Sequence, residues 1–152
     1  MSEQTNENKK YILKYLQQDY KEKNTFYNHV GLKIIEAYKG HAVQRLNALD
    51  TTHTNLYGQI HGGVMMTIGD SCMGVACASL GKRVVTLDSN INFLSNVPLP
   101  AEIFCEANVL HNGKKTILMQ AVIKTADGTV LSTMRSTYFV IGVFDEIMAK
   151  LD

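Results

Sequence analysis

The amino-acid sequence predicts an α+β domain in which one long helix is enclosed by a strongly curved antiparallel sheet. Residues 61–81 are apolar on nearly every side of a helix, and a helix of that kind has to be surrounded by other elements. Strand-like runs precede and follow it, and two of the breaks between the later runs are short enough for hairpins. A helix wrapped by a curved sheet is the economical arrangement that buries both.

Periodicity places the elements in order along the chain. Residues 11–20 show the spacing of an amphipathic surface helix, and residues 30–49 alternate around Lys39 and Gly40 as a hairpin does. The central helix is expected to end at Gly81, a suitable C-cap. Four later strands are expected to be consecutive antiparallel neighbours, over residues 83–94, 101–111, 116–125 and 129–142. The tail carries apolar residues at helical spacing, which predicts a short closing helix.

The composition is that of one globular domain. The chain has 152 residues, of which 45% are hydrophobic and 19% charged. A chain of this length can form a core without disulfides or metal ions. We expect three segments: 1–25, a polar segment with an amphipathic helix; 26–142, the main domain; and 143–152, a short tail or helix. A net charge of +1 disfavours nucleic acid and acidic membranes as main partners.

The cysteines and the N-terminus predict the compartment. Cys72, Cys77 and Cys105 have no metal-ligand spacing and leave one over if paired, so we interpret them as reduced thiols. The polar N-terminus is unlike a signal peptide, and no apolar run approaches a membrane span. We therefore expect a cytoplasmic protein. His29, His41, His53 and His111 also lack ligand spacing, and no metal is expected.

Asp70 is the unusual residue, because it is a carboxylate in the middle of the apolar helix. Burial without partners would be costly for it. Thr67 and Ser71 lie near it on the helix and could donate hydrogen bonds. Asp70 can therefore be a satisfied core polar group or a functional carboxylate, and the second interpretation is modestly favoured.

Gly62 and Gly63 stand at the predicted helix start, where free N–H groups and the positive end of the dipole form a natural oxyanion site. A tight turn into the helix would explain the glycines equally well. Gly62 and Asp70 are separated by roughly 12 Å along a helix axis. If both serve one reaction, they must come from two subunits whose helices lie side by side, which requires an obligate homo-oligomer.

The ordered set Asn55-x-x-Gly58-x-x-His61-Gly62-Gly63, followed by Asp70, resembles the hotdog-fold acyl-CoA thioesterases. The similarity is to the PaaI-like (phenylacetic acid degradation) branch of the 4-hydroxybenzoyl-CoA thioesterase superfamily. Thr86 in "VVTLDSNINFLS" and the turn "HNGKK" match as well. The resemblance covers roughly residues 26–142. It implies a central helix in a curved sheet, homodimers or dimers of dimers, and hydrolysis of acyl-CoA to a carboxylic acid and free CoA, with no cofactor beyond the CoA of the substrate.

The resemblance also implies the roles of the site residues. The Gly62 N–H would polarise the thioester carbonyl, with Asn55 and His61 supporting that side. Asp70 and Thr86 of the facing subunit would handle and orient water. Whether Asp70 is a general base or a nucleophile stays open. The segment "LSNVPLPAE" departs from the family pattern, and Pro98 and Pro100 are expected to stiffen it.

Substrate contacts are expected from a second group of residues. Lys82, Arg83, Lys114 and Lys115 are candidates to meet the phosphates of CoA, although each taken singly could be a solvated surface residue. Gly63 and Met66 are candidates for the substrate site. Met65, Met73 and Phe93 could line an acyl pocket, but most of these apolar residues fit a plain core equally well. The sequence does not decide between aromatic and straight-chain acyl groups.

Two other functions are compatible with parts of the sequence. Gly69-Asp70-Ser71, with Asp50 and His53, resembles the Gly-Asp-Ser hydrolases, but the Asp-x-x-His pair precedes the serine here, which disfavours Ser71 as a nucleophile. A non-catalytic acyl-CoA-binding or regulatory module is the stronger alternative, because a motif does not prove turnover. A hotdog hydratase is disfavoured, since His61 and Asp70 are far apart on the helix.

Overall fold

The computed structural model describes residues 2–151; Met1 and Asp152, the outer ends of the two predicted terminal segments, lie outside the described residues. Four helices and six strands follow one another in this part of the chain. Their bounds are α1 Glu3–Lys23, α2 Thr25–Val30, β1 Lys33–Tyr38, β2 His41–Ala48, α3 Gly62–Ala78, β3 Lys82–Phe93, β4 Ala101–Asn112, β5 Thr116–Thr125, β6 Val130–Val143 and α4 Asp145–Met148.

The strands form one six-stranded antiparallel sheet in the order β1-β2-β4-β5-β6-β3. The predicted hairpins β1-β2, β4-β5 and β5-β6 are present. The prediction that β3 neighbours β4 is wrong, because β3 pairs with β6 and β4 pairs with β2. The connection between Phe93 and Ala101 is long enough to carry the chain across the sheet, so β3 and β4 do not have to form a hairpin.

Helix α3 lies in the curve of the sheet and contacts all six strands. Its buried side chains include Met65, Ile68, Cys72 and Met73, which confirms the predicted helix within a curved sheet. Gly69 allows the close approach, because a Cβ there would lie 2.1 Å from the sulfur of Met134 on β6. The helix ends at Ala78, before the predicted Gly81; the chain reaches Gly81 through a turn and adopts φ +75° there.

The N-terminal helix is longer than predicted and joins the core. It begins at Glu3, and the Ser2 hydroxyl accepts a hydrogen bond from the Thr5 N–H, as an N-cap does. Ile12 and Leu16 are fully buried where α1 packs on β1. Burial of two such side chains stabilises the fold by about 1.5–3 kcal/mol each. The helix is thus an integral wall of the domain.

Two short helices complete the fold. The Asn24 side chain caps α2 by accepting from the Tyr27 N–H, and Gly31 ends it with φ 87°. This helix was not predicted, because six residues are too few to establish a helical period. The predicted closing helix is present as α4, with Ile147 buried. Among residues 2–151, no helix is long and apolar enough to cross a membrane.

Candidate active site

The carboxylate of Asp70 is held by two hydroxyl groups from the sheet. Its Oδ1 atom accepts hydrogen bonds from Thr86 Oγ1 at 2.8 Å and from the Tyr138 hydroxyl at 2.9 Å. The Tyr138 hydroxyl also lies 2.9 Å from the main-chain oxygen of Asp70. The desolvation of the carboxylate in the apolar helix is therefore offset by two donors.

The register of the sheet brings these donors together. Thr86 on β3 and Tyr138 on β6 are direct cross-strand partners, so their side chains leave the same face of the sheet. That face lies against α3 at Asp70. Two pairings that the sequence suggested are wrong: Thr67 donates to the Gly63 carbonyl, and Ser71 accepts from the amide of Gln44.

Tyr138 is the site residue that the sequence analysis missed. The alternation of buried and exposed residues in β6 places it on the inner face, but nothing in the sequence pairs it with a residue 68 positions away. Burial, followed by the negative charge of Asp70, raises the pKa of the Tyr138 hydroxyl well above its ordinary value. This hydroxyl therefore stays protonated and remains a hydrogen-bond donor.

A cavity of about 500 Å³ opens beside Asp70. Its walls come from α3, β3, β6 and the junction of α1 with α2, and they combine apolar and aromatic side chains with polar ones, including Ser71, Thr86 and Ser89. Met66 lines this cavity, as the sequence analysis allowed, whereas Met65 and Met73 belong to the core. Other lining residues are Tyr20, Phe26, Tyr27, Val84, Val85 and Met134.

The N-terminus of α3 forms a different environment. His61 is the N-cap, and its Nδ1 accepts from the Gly63 N–H at 2.9 Å. The Gly63 amide is therefore already used, which counts against a ligand contact through it. The Gly62 N–H donates no hydrogen bond within residues 2–151. It lies beside the half-exposed Phe93 ring, in a second cavity of about 350 Å³.

The loop that leads into α3 is shaped by Asn55. Its Oδ1 accepts from the N–H groups of Tyr57 and Gln59, at 2.8 and 3.1 Å. Ile60 N–H donates to the Val97 carbonyl, and the chain around Pro98 pairs with Gln59. The segment that departs from the family pattern thus braces this loop. Asn55 and His61 fix the backbone on either side of the turn into the helix.

The two functional ends of α3 do not meet within one subunit. Gly62 and Asp70 belong to the same unbroken helix, which keeps them roughly 12 Å apart along its axis. They also line different cavities. A carbonyl bound at one of them cannot contact the other, so within one subunit the two groups cannot act on the same carbonyl.

The basic residues divide into two groups. Lys82 Nζ donates to the Gly113 carbonyl at 2.9 Å, which places it at the β4-β5 turn that also carries Lys114 and Lys115, both exposed. The Arg83 guanidinium instead lies over the Phe144 ring, 4.8 Å from its centre. Successive strand residues point to opposite faces, so Arg83 is separated from the other three.

Among residues 2–151, Ser71 and His53 do not form the catalytic arrangement of a Gly-Asp-Ser hydrolase. Both ring nitrogens of His53 contact main-chain atoms, Nδ1 accepting from the Leu49 N–H and Nε2 donating to the Val30 carbonyl. Ser71 is bonded to Gln44. His53 thus holds the loop in place through main-chain hydrogen bonds. It does not contact Ser71, as a catalytic triad would require.

Comparison with known proteins identifies the family. The profile of the thioesterase superfamily matches residues 57–132. Acyl-coenzyme A thioesterase 13 of Homo sapiens is 31% identical over 110 residues, which span 70% of this chain and 77% of that protein. The PaaI protein of the E. coli phenylacetic acid degradation operon shares the fold, with a TM-score of 0.82 and 22% identity over 88% of this chain and 96% of that one.

A hypothetical thioesterase from Streptococcus pneumoniae, solved with coenzyme A, is similar in both sequence and structure. It is 30% identical with a TM-score of 0.71, over 74% of this chain and 90% of that one. The same protein was also solved as two single mutants, one with an aspartate and the other with a threonine replaced by alanine, and these two residues have the same sequence separation as Asp70 and Thr86. The chain has the hotdog fold and belongs to the thioesterase superfamily.

Proposed function

We propose that the protein hydrolyses acyl-CoA thioesters to a free carboxylic acid and CoA. The observation that carries this proposal is the Asp70 carboxylate, fixed by Thr86 and Tyr138 beside a cavity with apolar and aromatic side chains on part of its wall. The names of the relatives support the substrate class: one is an acyl-coenzyme A thioesterase, and another was solved with coenzyme A. An aspartate and a threonine at the same separation were chosen for substitution in the latter protein.

The chemistry requires only a positioned carboxylate and an oxyanion donor. In one route, Asp70 takes a proton from water while the water oxygen bonds to the carbonyl carbon; the C–S bond then breaks, and the CoA thiolate is protonated. In the other, a carboxylate oxygen attacks the carbonyl and displaces the thiolate, and water hydrolyses the resulting anhydride. A thiolate is a good leaving group, so neither route needs a serine nucleophile.

The oxyanion donor in this proposal is the Gly62 N–H of a second subunit. That amide has no partner among the described residues, and it lies at the positive end of the α3 dipole. Since one subunit keeps Gly62 and Asp70 apart, two antiparallel α3 helices would combine them into two equivalent sites. The proposed active unit is therefore a homodimer, alone or within a dimer of dimers.

The two ends of the substrate would bind to different surfaces. The apolar part of the cavity beside Asp70 suits the acyl group, with Met66 as an adaptable wall. Lys82, Lys114 and Lys115 form a positively charged end of the sheet that suits the phosphates of CoA. Arg83 is less suited to this role, because it is stacked on Phe144.

The test is thiol release from a panel of aromatic and straight-chain acyl-CoAs. We expect turnover by the wild type and its loss in Asp70→Asn. Asp88→Asn is the matched control, because Asp88 is an exposed carboxylate on β3 that does not line the cavity. Binding of the panel without hydrolysis would identify an acyl-CoA-binding module. Equal turnover by wild type and Asp70→Asn would refute the proposed role of Asp70.

A further inference from the structure

We propose that Tyr138 is a positioning residue of this site: together with Thr86 it holds Oδ1 of Asp70, so that Oδ2 is the oxygen presented to the substrate. This inference rests on the proposed function and adds to it the group that orients the carboxylate. It also distinguishes the two carboxylate oxygens, which are otherwise chemically equivalent.

The hydrogen bonds around Asp70 are asymmetric. Both hydroxyl donors, Thr86 Oγ1 at 2.8 Å and Tyr138 OH at 2.9 Å, bind the same atom, Oδ1. Oδ2 accepts no hydrogen bond from residues 2–151. Rotation of the carboxylate that exchanges the two oxygens would break both bonds. The unbonded oxygen therefore keeps one orientation.

Tyr138 is the more rigid of the two donors. Its side chain is only 2% exposed, whereas Thr86 lies on the exposed stretch of β3. Its hydroxyl contacts both Oδ1 and the main-chain oxygen of Asp70, each at 2.9 Å. The hydroxyl has one proton, which these two acceptors share, and the ionised Oδ1 is the stronger acceptor of the two.

Such positioning acts on the chemical step. A reacting group held close to its productive geometry avoids an entropic cost in the transition state. Tyr138 lines the cavity assigned to the acyl group, but a change that keeps its ring and removes only the hydroxyl leaves that wall in place. Removal of the hydroxyl is therefore expected to change kcat and to leave KM nearly unchanged.

The first test is Tyr138→Phe, which retains the buried ring and removes only the hydroxyl. We expect kcat to fall about ten- to hundredfold, the loss typical of a hydrogen bond to a charged group, with KM within about twofold. Ser136→Ala is the control: it deletes another buried hydroxyl of β6, bonded to Ser89 at 2.7 Å. Thr86→Val removes the other donor from an exposed position and should also lower kcat alone.

A second measurement does not depend on turnover. With carbon-13 at the aspartate carboxyl carbons, the Asp70 signal is assigned by its absence in Asp70→Asn. We expect it to move in Tyr138→Phe and in Thr86→Val, but not in Ser136→Ala. An unchanged kcat or an unmoved Asp70 signal in Tyr138→Phe would overturn the proposal. If the wild type hydrolyses no thioester, the proposed function fails, and the carboxyl signal still decides whether Tyr138 holds Asp70.

Discussion

Substitution of Gly62 by proline removes the N–H of the proposed oxyanion donor, and a matched Gly62→Ala variant accounts for the added Cβ. The Gly62 N–H donates no hydrogen bond within the described residues, so the fold loses none. Proline is well tolerated at the first position of a helix. The preceding residue, His61, already has φ −68° and ψ 135°, in the extended region that a residue before proline prefers.

The expected loss of kcat is obtained by separating the steric effect of a side chain at position 62 from the loss of its N–H. A Cβ at position 62 would lie 3.1 Å from the Phe93 ring, a tight contact that a half-exposed side chain can relieve. Gly62→Ala introduces this contact and keeps the N–H, so it measures the steric effect alone. Loss of one oxyanion donor typically lowers kcat by about 10²–10³, or roughly 2.7–4 kcal/mol of transition-state stabilisation. We expect that factor between Gly62→Pro and Gly62→Ala.

The assay is steady-state thiol release from the best acyl-CoA of the panel, with circular dichroism and the oligomeric state measured for each variant. Turnover of folded Gly62→Pro equal to that of Gly62→Ala would refute the reasoning, because the amide would then contribute nothing.

Phe26→Ala enlarges the cavity and should raise kcat/KM for longer or bulkier acyl groups relative to shorter ones by roughly tenfold; an unchanged preference among acyl groups would contradict this. Neutralising Lys114 and Lys115 together should raise KM for acyl-CoA roughly fivefold and leave a truncated thioester unaffected; equal effects would exclude phosphate contacts. Leu16→Ala should lower the free energy of unfolding in urea by about 2–5 kcal/mol, whereas a peripheral helix would give almost no change. Burial raises the pKa of the Cys77 thiol to about 12, so native protein should resist iodoacetamide near pH 8 and react once denatured; rapid native labelling would refute this.

The central helix and its carboxylate could be predicted from local sequence. A segment apolar on every side identifies a buried helix, and a single aspartate within it is conspicuous because its burial needs compensation. Thr86 was expected to act with Asp70 only because of the family resemblance, and Tyr138 was not predicted at all, since both donors meet Asp70 through the register between β3 and β6. The local candidates Thr67 and Ser71 bond elsewhere.

The sheet order was predictable only where turns are short. Hairpin turns fix the neighbours of β5, but the longer connection after β3 allows that strand to reach β6. Helix α2 was missed because six residues give no periodicity. Gly62 is a different case: residue spacing separates it from Asp70, and in the proposed mechanism a second copy of the chain brings the two groups together.

The central claim is that the Gly62 amide and the Asp70 carboxylate act together across two subunits. The most direct measurement is thiol release by a hybrid dimer of one Asp70→Asn and one Gly62→Pro subunit, co-expressed with different tags and isolated by both. One of its two sites then retains both native groups, so we expect about half of the wild-type activity while each parent is nearly inactive. A hybrid as inactive as its parents would contradict the shared site.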